Sequence, residues 1–584
     1  MKETSGYQAV ASQAEILVGK AKVVRLGAHS IALFRLGDEI IALDNRCPHM
    51  GFPLDRGTEK DGILTCHWHH ARFDIGSGCA FDLFADDIPV FDTFCEDGKV
   101  FVSKTPKAIP GESYYGQRLK KGLEQNIGLV QSKSVIGLLE SKTEFKEIVR
   151  QIARFGGANH ENWNDGMTSL AVVANLWPDL SDRTRIFALS YAARRLADNC
   201  ADRPSRRDRN QLAGSTSSLL QLKRWFRDWL VVRQRDGAER TVLTAAAISP
   251  GSMELNDLLF AGVSDRIFSN TGHTLDFFNK AFELLDFIGW EEAEGILPTL
   301  MPQASGARGG EEQSSWRSPV DLIEIIRSVE AELPSILSNR GRSEAPLNPN
   351  LEGILWGNNP ATITESIASE IARGVNVLAI AKQVCYTAAM RLVRFPESND
   401  IADWFNPVHT FNFSNAVYQS LKRGVTPDTV KAIFHAAMAT YKDRFLNIPE
   451  APLPGDLNNF ENLPEEPELL REQITGLLDH RQNLNAVTGA VAKYVRLRHP
   501  LSDLIDTLAM ATLREDLDFH KIQVLEAGVS QARLWQGRPE EENIFVGIAR
   551  HLAAHCPTRR GESRMTQIAV RLQRDEVIYD SAGE

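Results

Sequence analysis

The hydrophobic pattern of the chain changes character near residue 106. Between about 14 and 103, short runs of β-branched and apolar residues are separated by Gly, Asp and Pro turns, as in SIALFRL, EIIALDN and KVFVSK. From about 116 onward, long Ala- and Leu-rich segments carry apolar residues at i, i+3, i+4 and i+7, as in VDLIEIIRSVEAELPSIL. The first pattern is typical of β-strands, and the second predicts amphipathic helices.

We therefore predict a multidomain chain with a small all-β domain, 1–106, followed by a large all-α domain, 107–584. Breaks rich in Gly, Pro, Ser and Asn fall inside the helical part, and they suggest two halves, 116–340 and 341–584.

Composition and charge narrow the class of protein. The 584 residues are 43% hydrophobic and 24% charged, as in ordinary globular proteins. A net charge of −11 argues against nucleic acid as a partner. The chain has neither an apolar run long enough to span a membrane nor the apolar stretch of a signal peptide at its start. We expect a cytoplasmic protein without a membrane partner.

Seven cysteines are too few and too scattered for a disulfide framework, which also fits a reducing compartment. Two of them lie in NRCPHMGFPLDRGTEKDGILTCHWHHARFD, residues 45–74, with the spacing C-x-H-x16-C-x2-H. Two thiolates and two imidazoles can hold zinc tetrahedrally, so a zinc site is one interpretation. We expect the other cysteines of the β region, Cys79 and Cys95, to be buried thiols.

This stretch also resembles the Rieske [2Fe–2S] domain over residues 14–103. The resemblance implies that Cys47 and Cys66 bind one iron while His49 and His69 bind the other. The loops lack the extra cysteines of the high-potential Rieske proteins of respiratory complexes, so the domain looks like the ferredoxin type that supplies electrons to an oxygenase. A reductase or a ferredoxin is then the expected electron donor. The neighbouring His67 and His70 do not fit the ligand spacing, and we expect them to lie at the surface or behind the ligands.

Four other histidines each stand at the start of an apolar helical segment: His160, His273, His409 and His520. They are separated by 113, 136 and 111 residues, and in each case a second helical segment begins 23 to 27 residues later. This spacing indicates an internal repeat of helical hairpins. Four such hairpins around one bundle would bring the four imidazoles to a common interior point, where they would bind a metal and form the catalytic site. Alternatively, each histidine is a buried helix-start residue without a metal.

Nearby carboxylates are candidates for a further ligand or a proton carrier, although surface positions are the simpler interpretation of each: Glu161, Asp276, Glu283 and Asp518. Aromatic residues close to the histidines are candidates for the wall of a pocket for a planar ring: Trp163, Phe277, Phe278, Phe411 and Phe413.

The helical part lacks the H-x4-H iron motif of ring-hydroxylating Rieske oxygenases. Over about 140–575 it resembles instead the questin oxidase-like family, through the segments NH…M, HTF…NA, FHKIQ and AAHCPTRR. That resemblance implies a non-haem iron oxygenase acting on anthraquinone-type polyketides.

The leading hypothesis is thus a Rieske-dependent oxygenase with a four-histidine mononuclear iron, O2 and an organic, aromatic substrate. It leaves hydroxylation and C–C cleavage open and is compatible with a homo-oligomer. The alternative is a Rieske electron-transfer protein fused to a non-catalytic helical scaffold.

Overall fold

We analysed a computed structural model that describes residues 6–573 except 28, 109, 250, 340–344, 457–459 and 482. Its strands are β1 (Tyr7–Ser12), β2 (Lys22–Leu26), β3 (His29–Leu36), β4 (Glu39–Asp44), β5 (Thr58–Lys60), β6 (Ile63–Thr65), β7 (Arg72–Asp74), β8 (Val90–Glu96) and β9 (Lys99–Pro106). Its helices are α1 (Glu112–Glu124), α2 (Gly128–Glu140), α3 (Phe145–Asn159), α4 (Asp165–Leu176), α5 (Asp182–Cys200), α6 (Leu219–Val231), α7 (Arg235–Ile248), α8 (Ser252–Ser264), α9 (His273–Ile288), α10 (Ala293–Ile296), α11 (Met301–Gly306), α12 (Leu322–Asn339), α13 (Leu351–Trp356), α14 (Pro360–Ala372), α15 (Val377–Val393), α16 (Phe405–Arg423), α17 (Pro427–Lys442), α18 (Pro467–Leu477), α19 (Leu484–Arg496), α20 (Leu501–Leu513), α21 (His520–Ala532), α22 (Pro539–His555) and α23 (Gly561–Gln573).

The all-β prediction for the N-terminal region is confirmed. Six strands form an antiparallel sheet in the order β1-β9-β8-β4-β3-β2, and β5-β6-β7 form a second, three-stranded sheet. Alternation along β3 and β4 turns Phe34 and Leu43 into the core, where they meet Leu64 and Phe73 of the small sheet. The same core includes Cys47 and Cys66, so the small sheet and its packing fix the position of both cysteines.

The fold divides into two compact units. The first comprises the described parts of Met1–Ile148 and Arg564–Glu584, and the second is Val149–Ser563. The strands end at Pro106, as the hydrophobic pattern predicts, but the first compact unit continues through α1 and α2. Independent folding of 1–106 therefore stays a prediction.

The second unit is helical throughout its described residues, as predicted. Helices α4, α9, α16 and α21 form a ring in which each packs against the next and α21 closes onto α4. These are the helices that follow or contain the four repeat histidines. Three of them pair with the helix that follows, as α4 with α5, α16 with α17 and α21 with α22. In the second repeat the partner helix is broken into α10 and α11, where Pro298 and Pro302 remove backbone donors.

Among the described residues, no helix combines the length and apolar character that crossing a membrane requires.

Candidate metal centres

The two loops that carry the N-terminal cysteines share one backbone turn. The first loop lies between β4 and β5, and the second lies between β6 and β7. In each loop the cysteine N–H donates to the carbonyl five residues later, at 2.8 Å from Cys47 and 2.9 Å from Cys66. The residue four positions after each cysteine has a left-handed backbone: Gly51 at φ +80° and His70 at φ +61°. His70 therefore closes the turn, which explains why it does not join the ligands.

The four predicted ligands meet in two pairs, the cysteines with each other and the histidines with each other. Both cysteines are about 1% exposed, and their thiols hydrogen-bond to each other. That hydrogen bond from Cys47 lowers the pKa of Cys66 to about 6. The rings of His49 and His69 are perpendicular, with centroids 4.7 Å apart.

His49 Nδ1 is buried without a hydrogen-bond partner in the described structure, although a buried imidazole nitrogen normally has one. Two thiols with two adjacent imidazoles, one with an unsatisfied nitrogen, fit the ligand set of a Rieske cluster.

Groups around the loops hold the ligands in place. Phe84 packs edge-on against His49, with ring centroids 4.9 Å apart. Lys133 of α2 donates from Nζ to the Pro48 carbonyl at 2.7 Å and forms an ion pair with Asp86. Burial, with the nearby charges of His69 and Lys133, lowers the pKa of His49 to about 4, so this imidazole is neutral at pH 7. Burial also lowers the pKa of Lys133 to about 8, which leaves its ammonium protonated at neutral pH.

The sequence interpretation did not single out Lys133 or Asp86. Lys133 is a lysine inside the apolar run GLVQSKSVIGLLE, and that contrast is the one signal that could have found it. The remaining cysteines of the β region correct another expectation. Cys79 and Cys95 are exposed, because both lie in turn-flanked positions outside the core that holds the two ligand cysteines. His67 lies at the surface, where its Nε2 is 2.6 Å from Thr58 Oγ1.

The second unit brings three of the four repeat histidines together at one end of the helical ring. His409 Nε2 is 2.9 Å from His520 Nε2, which in turn is 3.4 Å from His273 Nε2. One nitrogen from each ring lies within 4.8 Å of the others, and this is the arrangement expected of metal ligands. We call His273, His409 and His520 the histidine triad.

Burial and the neighbouring imidazoles keep two members of the triad, His273 and His409, neutral. Burial, together with the neighbouring His409 and His520, lowers the pKa of His273 well below its usual value. Burial and His520 lower the pKa of His409 to about 3. Neutral imidazoles are the form that binds metals, so His273 and His409 need no proton release to accept one.

A carboxylate orients one member of the triad. Asp518 Oδ1 lies 3.0 Å from His520 Nδ1 and also accepts the His520 backbone N–H at 2.9 Å. Although burial favours the neutral acid, these hydrogen bonds outweigh it and lower the pKa of Asp518 to about 2. An ionised Asp518 accepts a hydrogen bond from His520 Nδ1, and His520 Nε2 faces the other two rings.

His160 does not join the triad, and this corrects the expected convergence of four imidazoles. His273 and His520 are the first residues of their helices and His409 lies within α16, whereas α4 begins only at Asp165. The Asn164 side chain caps α4 by accepting from Met167 N, so the helix begins after His160. His160 lies in the preceding loop, where Nδ1 hydrogen-bonds to the Asn162 backbone.

The other predicted carboxylates lie apart from the three imidazole nitrogens that converge. Glu161 pairs with Arg235 near the surface. Asp276 is one helical turn from His273, buried, and accepts from Gln523 at 2.6 Å. Glu283 lies further along α9, where it pairs with Lys280 at 2.8 Å.

Aromatic rings surround the triad, but they are only partly the predicted ones. Phe277 lies 5.0 Å from His273 between ring centroids, as expected of a pocket wall. Phe519 and Phe405, which the sequence did not single out, lie 4.1 Å and 5.5 Å from His520. Phe405 is 40% exposed, so this rim of the triad faces solvent. The other predicted aromatics are buried among helices: Trp163, Phe278, Phe411 and Phe413.

Behind the triad, the interior of the ring is polar. Three residues after the histidines, Asn412 Nδ2 donates to Gln523 Oε1 at 3.2 Å, and Gln523 donates to Asp276. Further along, Lys280 forms ion pairs with both Glu283 and Glu526. The contacts between α9, α16 and α21 favour one register of these helices, while Asp276 Oδ1 and Asn412 Oδ1 stay without hydrogen-bond partners among the described residues.

Comparison with known proteins concerns the β domain. The Rieske [2Fe-2S] domain family matches residues 6–91. The chain is 34% identical over 92 residues to human apoptosis-inducing factor 3, a match that covers 16% of this chain and 15% of that protein. The chain thus spans only 15% of the length of that relative.

It is also 34% identical over 80 residues to the anthranilate 1,2-dioxygenase ferredoxin subunit of Burkholderia cepacia, covering 13% of this chain and 72% of the subunit. Among solved structures, a complex of reduced oxygenase and oxidised ferredoxin in carbazole 1,9a-dioxygenase matches with 25% identity. That match has a TM-score of 0.17 and covers 18% of this chain and 97% of that one.

The paired cysteines and the paired histidines lie within the residues that the Rieske family matches, 6–91. Through its N-terminal domain, the chain belongs to the Rieske [2Fe–2S] family.

Proposed function

We propose that the chain is a Rieske-dependent oxygenase. In this proposal Cys47, His49, Cys66 and His69 would hold the cluster, and His273, His409 and His520 would hold a mononuclear non-haem iron. The cluster would supply single electrons, and the iron would supply the O2 chemistry that oxidises an organic substrate. The convergence of the three Nε2 atoms is the observation that carries the proposal. Membership of the Rieske family supports electron transfer by the N-terminal domain. The iron, the oxygen chemistry and the substrate are what we propose.

The spacing within the triad supports a metal. Ligand nitrogens at about 2.1 Å from a metal, with angles near about 90–110°, stand about 3.0–3.4 Å apart. The observed separations of 2.9 Å and 3.4 Å lie at or close to that range. The depressed pKa values of His273 and His409 disfavour a shared proton as the reason for the close approach. A cation held between the rings would be a common partner for the nitrogens of all three.

Three protein ligands on one side of an iron leave coordination positions for O2 and substrate. Bound there, the iron would supply the redox chemistry of oxygen activation. Asp518 orients the His520 ring. The aromatic rings of Phe277, Phe405 and Phe519 surround the triad and partly exclude water from it. Flat aromatic side chains at the open rim suit a planar organic substrate.

Electron balance explains why a Rieske domain belongs in such a chain. Hydroxylation of a substrate RH consumes O2, two electrons and two protons, and yields ROH and water. A Rieske cluster passes one electron at a time, so each turnover requires two reductions from an external reductase or ferredoxin. The relative from Burkholderia cepacia is named as the ferredoxin subunit of a dioxygenase, which supports this electron route.

Metal analysis tests the proposal. The purified full-length chain is expected to hold three irons: two acid-labile, in the cluster, and one that a chelator removes while the Rieske absorption persists. His273→Ala, His409→Ala and His520→Ala should each lose the third iron and substrate-independent O2 consumption, but keep the Rieske spectrum. His160→Ala is the matched control, and it should keep all three irons.

Two results would overturn this function. A chain with two irons whose composition is unaffected by His520→Ala would be an electron-transfer protein on a helical scaffold. Three imidazoles also suit zinc. Zinc in place of the third iron would remove the oxygen chemistry, because zinc has no redox activity.

A further inference from the structure

Helix α2 places one ammonium group directly behind the first cluster loop. Lys133 Nζ donates to the carbonyl of Pro48 at 2.7 Å, and Pro48 stands between the ligands Cys47 and His49. The Lys133 side chain is only 13% exposed. The family match ends at residue 91, so this lysine comes from a segment outside the part of the chain shared with Rieske ferredoxins.

Charges of both signs surround this contact, because Asp44, Asp86 and Asp87 line the same cavity as Arg46 and Lys133. Asp86 is the carboxylate partner of Lys133, and Arg118 of α1 approaches the same carboxylate at 2.9 Å. Arg118 also donates to the carbonyls of Leu83 at 3.1 Å and Ala85 at 3.2 Å, so it has backbone partners besides Asp86. The neighbouring Arg46 is neutralised by Asp44, with 2.8 Å between their charged atoms. Two cations thus share one carboxylate beside the loop.

A positive charge beside the cluster loop affects how readily the cluster accepts an electron. A cluster with two thiolate ligands becomes more negative when it is reduced, so a fixed positive charge favours the reduced state. Burial makes that interaction stronger than it would be in water. A hydrogen bond to the loop carbonyl also holds the ligand-bearing backbone, and cluster potentials respond to charge, hydrogen bonding and exposure.

We propose that Lys133 is a positioning residue for the Rieske cluster, whose charge and hydrogen bond to Pro48 hold the reduction potential above the value that the β domain alone would give. Through α2, the helical segment then sets how readily the cluster accepts an electron. This inference rests on the Rieske domain and is independent of the iron proposed at the histidine triad.

Potentiometric titration of the full-length protein at pH 6.5, followed by visible absorption and by EPR of the reduced cluster, tests the inference. At the midpoint potential of the unmodified protein, the ratio of oxidised to reduced cluster is expected to rise about tenfold in Lys133→Met, equivalent to about 59 mV for one electron. Lys133→Arg should stay within about twofold of the unmodified ratio. Asp86→Asn should change the ratio in the opposite direction, because it removes the negative charge and leaves both cations.

Opposite shifts distinguish an electrostatic role from general damage to the loop. A Lys133→Met protein with a full cluster and an unchanged ratio would overturn the inference, and so would Lys133→Met and Asp86→Asn shifting the ratio in the same direction. If Lys133→Met does not retain the cluster, Lys133→Arg and Asp86→Asn decide: a loss of reduced cluster in Asp86→Asn, or no change there, refutes the role of charge.

Discussion

Asp518 orients His520, one member of the histidine triad. It fixes the tautomer of His520 through the ring nitrogen that points away from the other imidazoles. Hydrogen bonds of this kind raise ligand basicity and keep the ring oriented before a metal arrives. A histidine without such a partner would turn its N–H toward the triad in part of the molecules and weaken binding.

Asp518→Asn is therefore expected to weaken third-iron binding about 10- to 100-fold without affecting the cluster. Competition with a coloured chelator measures the affinity, and visible absorption monitors the cluster. Asp400→Asn, at an exposed position, is the control and should leave the affinity unchanged. Equal affinities in the two variants would show that Asp518 has no part in holding the metal.

Gly272, the residue before His273, is constrained by its backbone angle and by neighbouring side chains. Gly272 has φ +92°, and a Cβ there would stand 2.9 Å from the Phe268 ring and 3.0 Å from Phe413 Cβ. Phe268, Asn270 and Thr271 also have positive φ, so the chain enters α9 through a strained turn.

Gly272→Ala should lower the free energy of unfolding by about 1–3 kcal/mol, because it adds a clash and a disfavoured backbone angle. Denaturant unfolding of the full chain measures this change. Gly353→Ala, where a Cβ meets nothing within 4 Å, should be neutral or slightly stabilising. A Gly272→Ala protein as stable as Gly353→Ala would contradict the strained entry to α9.

At the scale of elements, the ring of α4, α9, α16 and α21 has a charged and amide-rich interior. Asp276 carries part of the desolvation cost of this interior, since one of its oxygens is buried without a partner among the described residues. Burial raises its pKa to about 6, although Lys280 and Gln523 oppose the shift. An aspartate in an unfolded chain titrates near about 3.9. The folded state thus holds this proton more tightly than the unfolded state does.

This difference in pKa makes the stability of the fold depend on pH. Between about pH 4 and 6 the folded chain keeps a proton that the unfolded chain has lost, so the stability contributed by Asp276 falls as the pH rises through 6. In iron-free protein, Asp276→Asn should stabilise the fold by up to about 3 kcal/mol at pH 7.5 and by much less at pH 5. Urea unfolding at both pH values measures the difference. If the difference in free energy of unfolding between Asp276→Asn and the unmodified protein is independent of pH, titration of Asp276 does not cause it.

At the scale of the whole molecule, the N-terminal residues 1–106 contain all four cluster ligands, both loops and the nine described strands. We expect this fragment to fold and to take up the cluster, with lower stability than the full chain because it lacks α1 and α2. Visible absorption and thermal unfolding check this, and Cys47→Ser in the fragment should be colourless. An insoluble fragment, under conditions where the full chain is soluble, would show that α1 and α2 complete the core of the β domain.

Much of this organisation could be read from the sequence, because its signals are local. Strand alternation and helical periodicity depend on neighbouring residues, and they predicted the β and α regions. The loop ligands Cys47, His49, Cys66 and His69 lie within one stretch of the chain, where spacing alone restricts which side chains can meet. Burial of Cys79 and Cys95 was predicted wrongly, since a short β domain has edges that a hydrophobic pattern does not locate.

The repeat of four histidines predicted the central ring of helices, but only tertiary structure decided which histidines meet. A cap at Asn164 delays α4 and leaves His160 in a loop, whereas the triad is joined across more than a hundred residues by helix packing. The contact between Lys133 and Pro48 likewise joins residues 85 positions apart. Sequence determined the residue types and the elements that carry them, because those follow from local pattern; the meeting of distant side chains followed from the packing of whole helices and sheets, which no local pattern contains.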